Sequence, residues 1–272
     1  VRGGRLRCQG AFTHPILAGT FFAAALPLIW TLRKDKIRLM RLGTISCLFI
    51  VAACSSSTPI LSVLFALMGA ALFPWRRYRT HMWVGLFALL TALHLVMKAP
   101  VWHLMSRLDL TGGSTGYHRY EVFDAFIGNF SEWYLVGEPD PMSWGVWQMR
   151  DVTNMYVAQG LTGGLLTLIL FLLVVIFAFG NVGRALKFKA VARSLRRQWI
   201  CWCVGVAIFV HAATFLGVTY FGGQMMVILY LELSLTTCVY RFARRDSLQQ
   251  MAKARALRAQ RPTTQMAGVS SR

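Results

Sequence analysis

The chain has 272 residues, of which 56% are hydrophobic and only 14% are charged, and its mean hydropathy is +0.51. Since a soluble domain carries roughly 25% charged residues, this composition excludes a water-soluble globular fold. The net charge of +19 does not indicate nucleic-acid binding, because the basic residues cluster between apolar runs, as in the positive-inside pattern. The runs are continuous rather than alternating, which favours helices over a β-barrel and predicts an all-α integral membrane protein.

A helix of about 17–25 apolar residues crosses roughly 30 Å of hydrocarbon. The sequence has about seven apolar runs that reach this length or fall slightly below it. The predicted spans cover residues 14–32, 42–55, 59–75, 81–98, 154–179, 199–216 and 223–240. The chain thereby divides into four regions. They are transmembrane helices 1–4 within 1–98, a periplasmic loop with an amphipathic helix at 99–152, transmembrane helices 5–7 within 153–240, and a basic cytoplasmic tail at 241–272.

The distribution of basic residues predicts how the chain is oriented. Of the 29 lysines and arginines, 22 fall in segments 33–41, 75–80 and 180–197 and in the tail. The positive-inside rule places these segments in the cytoplasm. The amino end and the loop 99–152 are then outside, and the basic tail is expected to be solvated and attracted to anionic lipid.

The loop 99–152 has an unusual composition. It contains seven of the ten acidic residues and four of the nine tryptophans, together with several arginines. Arginine side chains bind diphosphate oxygens bidentately, and aromatic faces pack on sugar rings, so the loop suits a phosphorylated, sugar-bearing ligand. A folded cap that merely covers the bundle is the alternative. Apolar spacing within 119–130 predicts an amphipathic helix at the membrane surface, with Arg119 at its start and Glu121 and Asp124 near its amino end.

Three segments carry a resemblance to a known family. They are RLRCQGAFTHPILAG (5–19), STGYHRYEVFDAFIGNFSEWYLVGEPDP (114–141) and DVTNMYVAQGLTGGLLTLILF (151–171). In their order and placement they resemble the O-antigen ligase and polymerase proteins of bacterial surface-polysaccharide assembly. The resemblance implies a multi-pass protein of the bacterial inner membrane. Members of that family are usually longer and have more spans, so this chain would be a truncated or divergent member.

The resemblance also implies an activity. This is metal-independent, inverting transfer of a glycan from undecaprenyl diphosphate to a glycan or lipid acceptor at the periplasmic face, with no cofactor. The implied partners are the undecaprenyl-diphosphate-linked glycan, membrane lipids and other polysaccharide-assembly proteins.

Particular residues match the family's functional positions. Its two functional arginines correspond to Arg7 and Arg119, which would hold the diphosphate and stabilise the charge that develops on the leaving group. His14, Arg150 and Asn154 are further candidates for substrate binding. For His14 and Asn154 the alternative is a helix cap, and for Arg119 it is a bond to lipid phosphate.

The catalytic base is less directly indicated. Thr153 stands where the family has a histidine, and a threonine hydroxyl cannot act as a general base at neutral pH. Asp151 and His118 are therefore the candidate catalytic residues. We expect Asp151, rather than a histidine, to supply the base, because it lies two residues from Thr153 at the start of the fifth span. The alternative is that Asp151 simply stabilises the amino end of that span. Glu232 lies deep in a predicted span, where an acidic side chain is a candidate functional residue by default. The alternative is a structural role, as a neutral carboxyl group that is hydrogen-bonded to His211 or Gln224.

Two other classes of function compete with glycan transfer. One is a transporter or flippase component for an anionic or lipid-linked substrate, and the other is a non-catalytic membrane subunit. A transporter should carry polar residues along the midplane of broken, repeated helices. This chain instead concentrates them in the loop 99–152 and shows no evident internal repeat.

Overall fold

A computed structural model of the protein describes residues 7–107 and 115–259, and all regular structure within those ranges is helical. Predictions that concern 1–6, 108–114 and 260–272 lie outside the described residues. The helices are α1 (Pro15–Trp30), α2 (Ile37–Ala53), α3 (Ser57–Ala71), α4 (Arg79–Val96), α5 (Thr115–Gly128), α6 (Phe130–Trp133), α7 (Met155–Lys187), α8 (Lys189–Ala192), α9 (Leu195–Thr214) and α10 (Gly223–Ala259). Short 3-10 turns lie at Thr31–Lys34, Phe73–Tyr78, Val101–Arg107, Pro141–Trp144 and Trp147–Arg150.

The apolar helices are those of a membrane protein. Among the described residues, four helical stretches are long and apolar enough to cross a membrane, namely Pro15–Lys34, Phe73–Val96, Met155–Lys187 and Gly223–Leu257. The other predicted spans correspond to α2, α3 and α9, which are shorter or less apolar. The last helix continues well beyond the predicted end at 240 and through most of the basic segment, so the described part of the predicted tail is helical.

Helix α1 lies at the centre of the bundle and packs against α2, α3 and α9, while α9 also contacts α7 and α10. Leu17, Ala23, Ala24 and Leu26 of α1 are essentially inaccessible to solvent. Gly19 permits this close packing, because a Cβ atom there would lie 2.6 Å from Cβ of Pro59 on α3. Helix packing through such small residues is typical of membrane bundles.

Helix α7 is interrupted, which the uninterrupted span predicted at 154–179 did not anticipate. Gly163 and Gly164 leave the helical conformation, and Gly164 adopts a φ of +70°. The backbone groups freed by the break bond to the loop instead: Glu138 N donates to Leu161 O at 2.9 Å, and Leu165 N donates to Tyr134 O at 2.8 Å. A break in a membrane helix is tolerated where protein groups satisfy its backbone in this way.

Helix α5 confirms that a helix lies within 119–130 but corrects its start. It begins at Thr115, so Arg119 lies in the second turn, and Glu121 and Asp124 are not near the amino end as expected. The buried side chains Val122 and Phe126 pack with Val157 and Leu161 of α7. This face of α5 therefore packs on the beginning of α7.

Candidate functional site

Four helices, α1, α3, α7 and α10, begin at the same end of the bundle, here called the site end. Hydrogen bonds connect their starts with one another, with the loop 99–152 and with the segment after α9. For example, Gln224 Nε2, at the start of α10, donates to Ala11 O before α1 at 3.1 Å, and Met155 N of α7 donates to Phe215 O at 2.9 Å. Because a helix amino terminus carries partial positive charge and unpaired N–H groups, their convergence favours an anionic ligand.

Asn154 and His14 cap two of these helices, which is the alternative role that the sequence indicated for both residues. Asn154 Oδ1 accepts hydrogen bonds from Tyr156 N at 2.9 Å and Val157 N at 3.2 Å. Its amide also donates to Leu216 O at 3.5 Å, and the whole side chain is buried. His14 Nδ1 accepts a hydrogen bond from Ile16 N at 3.2 Å. Capping does not exclude a substrate contact for His14, because its other ring nitrogen is not used by the cap.

Arg119 reaches from α5 to the start of α3, where Nη2 donates to Thr58 Oγ1 at 2.8 Å. Its guanidinium also lies against Gly217, in the turn after α9. A Cβ atom at Gly217 would lie 3.1 Å from both Cζ and Nε of Arg119. Thr58 and Gly217 were not predicted as site residues, and no local pattern distinguishes them, since only the tertiary fold brings three distant segments together.

Arg7 lies at the same end. Its Nε donates to Cys54 O at 2.9 Å, which places the guanidinium beside the turn between α2 and α3. Burial, and then the positive charge of Arg7, lower the pKa of His14, while the charge of Asp151 acts in the opposite direction. The three residues are thus close enough to interact electrostatically, and His14 is held in its neutral form at neutral pH.

Hydrogen bonds fix the tautomers of the two histidines. Since Nδ1 of His14 accepts a backbone N–H, its neutral ring carries the hydrogen on Nε2, which is a donor. The Nε2 atom of His118 lies 3.0 Å from Asp151 O, and because a carbonyl oxygen can only accept, this nitrogen must donate. In the neutral ring of His118 the lone pair is therefore on Nδ1. His14 is suited to donating to an anion, and His118 to accepting a proton.

The remaining predicted residues differ in their surroundings. Arg150 is exposed, and its guanidinium carbon lies 5.2 Å from the ring centroid of Trp147, on the surface of the loop. Asp151 is exposed as well. The hydroxyl of Thr153 is buried and has no hydrogen-bond partner within the described ranges. The structure thus groups Arg7, His14, His118, Arg119, Asp151 and Asn154 at the site end, with Arg150 at its periphery.

A second polar cluster lies inside the bundle, between α9 and α10. His211 Nε2 lies 2.9 Å from Glu232 Oε2, and both side chains are buried. His211 was one of two predicted partners of Glu232, and the contact is confirmed; Gln224 bonds elsewhere, as described above. Tyr220 was not predicted, and its hydroxyl bonds to Nδ1 of His211. Desolvation and then the charge of Glu232 raise the pKa of Tyr220 well above its ordinary value.

No protein-family model, curated protein or solved structure matches this chain. The resemblance to the O-antigen ligase and polymerase family therefore rests on the three sequence segments. Within residues 7–107 and 115–259, no group of three or more histidine, cysteine or acidic side chains is arranged to hold a metal ion. The positive groups described at the site end are guanidinium groups and helix amino termini.

Proposed function

We propose that this protein transfers a glycan from undecaprenyl diphosphate to a glycan or lipid acceptor at the site end of the bundle. The observation that carries the proposal is the grouping of Arg7 and Arg119, 112 positions apart in the sequence, with His14 at the amino termini of α1 and α3. Guanidinium groups bind diphosphate oxygens with fixed geometry, and two of the three family-like segments, 5–19 and 114–141, contribute these residues.

In the proposed reaction, a hydroxyl of the acceptor attacks the anomeric carbon of the donor glycan from the face opposite the diphosphate. The bond between that carbon and the diphosphate oxygen breaks, and undecaprenyl diphosphate leaves with the electron pair. Arg7 and Arg119 stabilise the negative charge that develops on the leaving oxygen, and Nε2–H of His14 donates to the same group. The proton of the acceptor hydroxyl passes to Nδ1 of His118 or to the Asp151 carboxylate.

The proposal includes the orientation of the chain. With seven helices crossing the bilayer, the site end would face the periplasm of a bacterial inner membrane and the carboxyl terminus the cytoplasm. The excess of basic residues at the opposite end supports this orientation. Alkaline phosphatase fused after Glu138 should then be active. An inactive fusion there, together with an active fusion after Arg193, would mean that the chain has the opposite orientation.

A binding experiment with undecaprenyl diphosphate tests the ligand class without knowledge of the sugar. The full-length protein in lipid nanodiscs should bind undecaprenyl diphosphate more tightly than undecaprenyl monophosphate. Arg119→Ala should weaken binding about 10- to 100-fold, since a charge-assisted hydrogen bond contributes about 1.5–3 kcal/mol. Arg119→Lys should recover only part of this loss, because an ammonium group cannot form the forked contact.

Arg193→Ala provides the control, because Arg193 is an exposed cation at the opposite end of the bundle. Equal binding by Arg119→Ala and Arg193→Ala would exclude Arg119 from the site. Binding of undecaprenyl diphosphate without formation of longer glycans, when lipid-linked glycan is supplied, would support a non-catalytic subunit instead.

The cluster formed by His211, Tyr220 and Glu232 favours a second candidate function, a proton-coupled transporter component for an anionic substrate. Buried ionisable residues in membrane helices are characteristic of proton relays. Proteoliposomes containing the protein and a pH-sensitive dye distinguish the two functions. Proton movement that requires both Glu232 and an anionic substrate would support transport, whereas glycan transfer that is retained in Glu232→Gln would support the leading proposal.

A further inference from the structure

A groove runs along the side of the bundle in the half opposite the site end. It lies between α4 and the surfaces of α3, α7 and α9, and its volume is about 300 Å³. Met68, Leu86, Phe179, Val206 and Phe209 are among the apolar side chains that line it. Beside the groove, α3, α4 and α7 expose many large apolar side chains, a surface that suits contact with hydrocarbon.

The groove exists because α4 does not pack fully into the bundle. No side chain of α4 is buried, and near the groove the helix is held to α7 by two contacts. The rings of Trp83 and Phe179 have centroids 5.5 Å apart, and Arg79 Nη2 donates to Gly183 O at 2.8 Å. An empty apolar groove would leave its lining without dispersion contacts on one side, and a hydrocarbon chain supplies those contacts.

The groove continues into a polar hollow of about 260 Å³, with which it shares Arg79 and Leu186. Four of the described residues that line the hollow are cations and none is acidic. One of them, Arg76, is held in place, because its Nε donates to Gln198 Oε1 and its guanidinium lies 4.3 Å from the ring centroid of Phe73. Arg77 and Lys187 are exposed at the rim.

We propose that the groove and the hollow together form a binding site for one anionic phospholipid. An acyl chain occupies the apolar groove, and the headgroup phosphate binds Arg76, Arg77 and Lys187. Basic pockets between membrane helices bind anionic headgroups in this way. The absence of a carboxylate among the described lining residues disfavours a zwitterionic headgroup, whose cationic part would find no counter-charge. The site is at the opposite end from the proposed glycan-transfer site and does not depend on it.

Native mass spectrometry of the full-length protein in detergent tests this site. The protein is titrated with an equimolar mixture of phosphatidylglycerol and phosphatidylcholine that carry the same acyl chains. The wild type should retain phosphatidylglycerol preferentially. Arg77→Gln/Lys187→Gln should weaken that retention about 10- to 30-fold, given the contribution of each cation near a lipid headgroup.

Two further variants separate charge from shape. Lys253→Gln/Arg255→Gln removes two exposed cations of α10 that do not line the hollow, and it should retain phosphatidylglycerol as the wild type does. Met82→Trp keeps every cation but places an indole in the groove that Met82 lines, and it should reduce retention of both lipids. Equal retention of the two lipids by the wild type would overturn the proposal. So would unchanged retention in Arg77→Gln/Lys187→Gln or in Met82→Trp.

Discussion

Replacing Gly217 with alanine should displace Arg119 without removing its charge. The added Cβ would lie 3.1 Å from Cζ and Nε of Arg119, whereas carbon atoms in ordinary contact are about 3.5–4.0 Å apart. The guanidinium must therefore move by about 0.4 Å or more. The backbone tolerates the change, because Gly217 is not among the glycines with positive φ.

The displacement should affect binding more than folding. Arg119 donates to Thr58 Oγ1 at 2.8 Å, and a shift of this size brings the bond to the long end of the usual range of about 2.7–3.2 Å. We expect Gly217→Ala to weaken binding of undecaprenyl diphosphate about 3- to 10-fold, less than the loss expected for Arg119→Ala. The free energy of unfolding should be unchanged or higher by up to about 1 kcal/mol, because alanine restricts the unfolded chain.

Nanodisc binding and thermal unfolding measure the two effects separately. Gly85→Ala is the matched control, because a Cβ atom at that position in α4 meets nothing within 4 Å. Identical binding by Gly217→Ala and Gly85→Ala would show that the position of Arg119 does not matter for the ligand. A large loss of stability in Gly217→Ala would instead mean that the guanidinium cannot yield.

Three further predictions concern the same site. The pKa of His14 is lowered from 6.5 in the folded protein, so the unfolded chain binds the proton more readily. This residue should therefore reduce stability as the pH falls through and below about 6.5. His14→Asn keeps a capping oxygen and should make the unfolding temperature less pH-dependent. His118→Ala should abolish glycan transfer while Asp151→Asn retains it if the imidazole is the base, and the opposite result would assign the role to Asp151. Asn154→Ala should lower the free energy of unfolding by about 1–2 kcal/mol, as measured by thermal denaturation, and a smaller loss would show that water replaces the cap.

The sequence predicted the helical class and the positions of the helices because both depend on the length and composition of apolar runs. The resemblance to the O-antigen ligase and polymerase family indicated Arg7 and Arg119 as candidate site residues. His14 and Asn154 were indicated as well, and both lie at the starts of predicted spans. Thr58 and Gly217 could not be predicted in this way. Their role depends on packing between segments that are far apart in the chain, and a threonine or glycine in a turn is unremarkable in isolation.

Helix boundaries and interruptions were the weakest part of the sequence prediction. The apolar spacing within 119–130 placed the start of α5 four residues too late, because Thr115–His118 has no apolar periodicity of its own. Glycines spaced as in 160–164 are typical of close packing between membrane helices, and Gly160 permits it: a Cβ atom there would lie 2.4 Å from Cζ of Phe126. The pattern could not show that Gly163 and Gly164 break the helix, because the break depends on backbone bonds to 134–138.

The break in α7 leads to a last prediction, which uses the two neighbouring glycines as a matched pair. In Gly164→Ala the new Cβ would lie 2.5 Å from Leu135 O, and the residue would have to keep a φ of +70°. Both obstacles are backbone features that cannot move without disturbing the hydrogen bonds between α7 and the loop. In Gly163→Ala the nearest atom is the Thr167 hydroxyl at 2.2 Å, which lies on a side chain that can rotate, and the φ of −155° is negative, so alanine avoids the strain of a positive φ.

We therefore expect Gly164→Ala to lower the free energy of unfolding by about 2–4 kcal/mol, from backbone strain and displacement of the loop. Gly163→Ala should cost about 1 kcal/mol, mainly from loss of the bond between Thr167 Oγ1 and Gly163 O. Thermal unfolding in detergent compares the two, and hydrogen exchange at Glu138 and Leu165 reports whether the loop has separated from α7. If both variants were equally stable and these amides stayed protected in Gly164→Ala, the left-handed conformation of Gly164 would not be needed for the break. The loop would then be held to α7 by the packing of Phe126 and Trp133 instead.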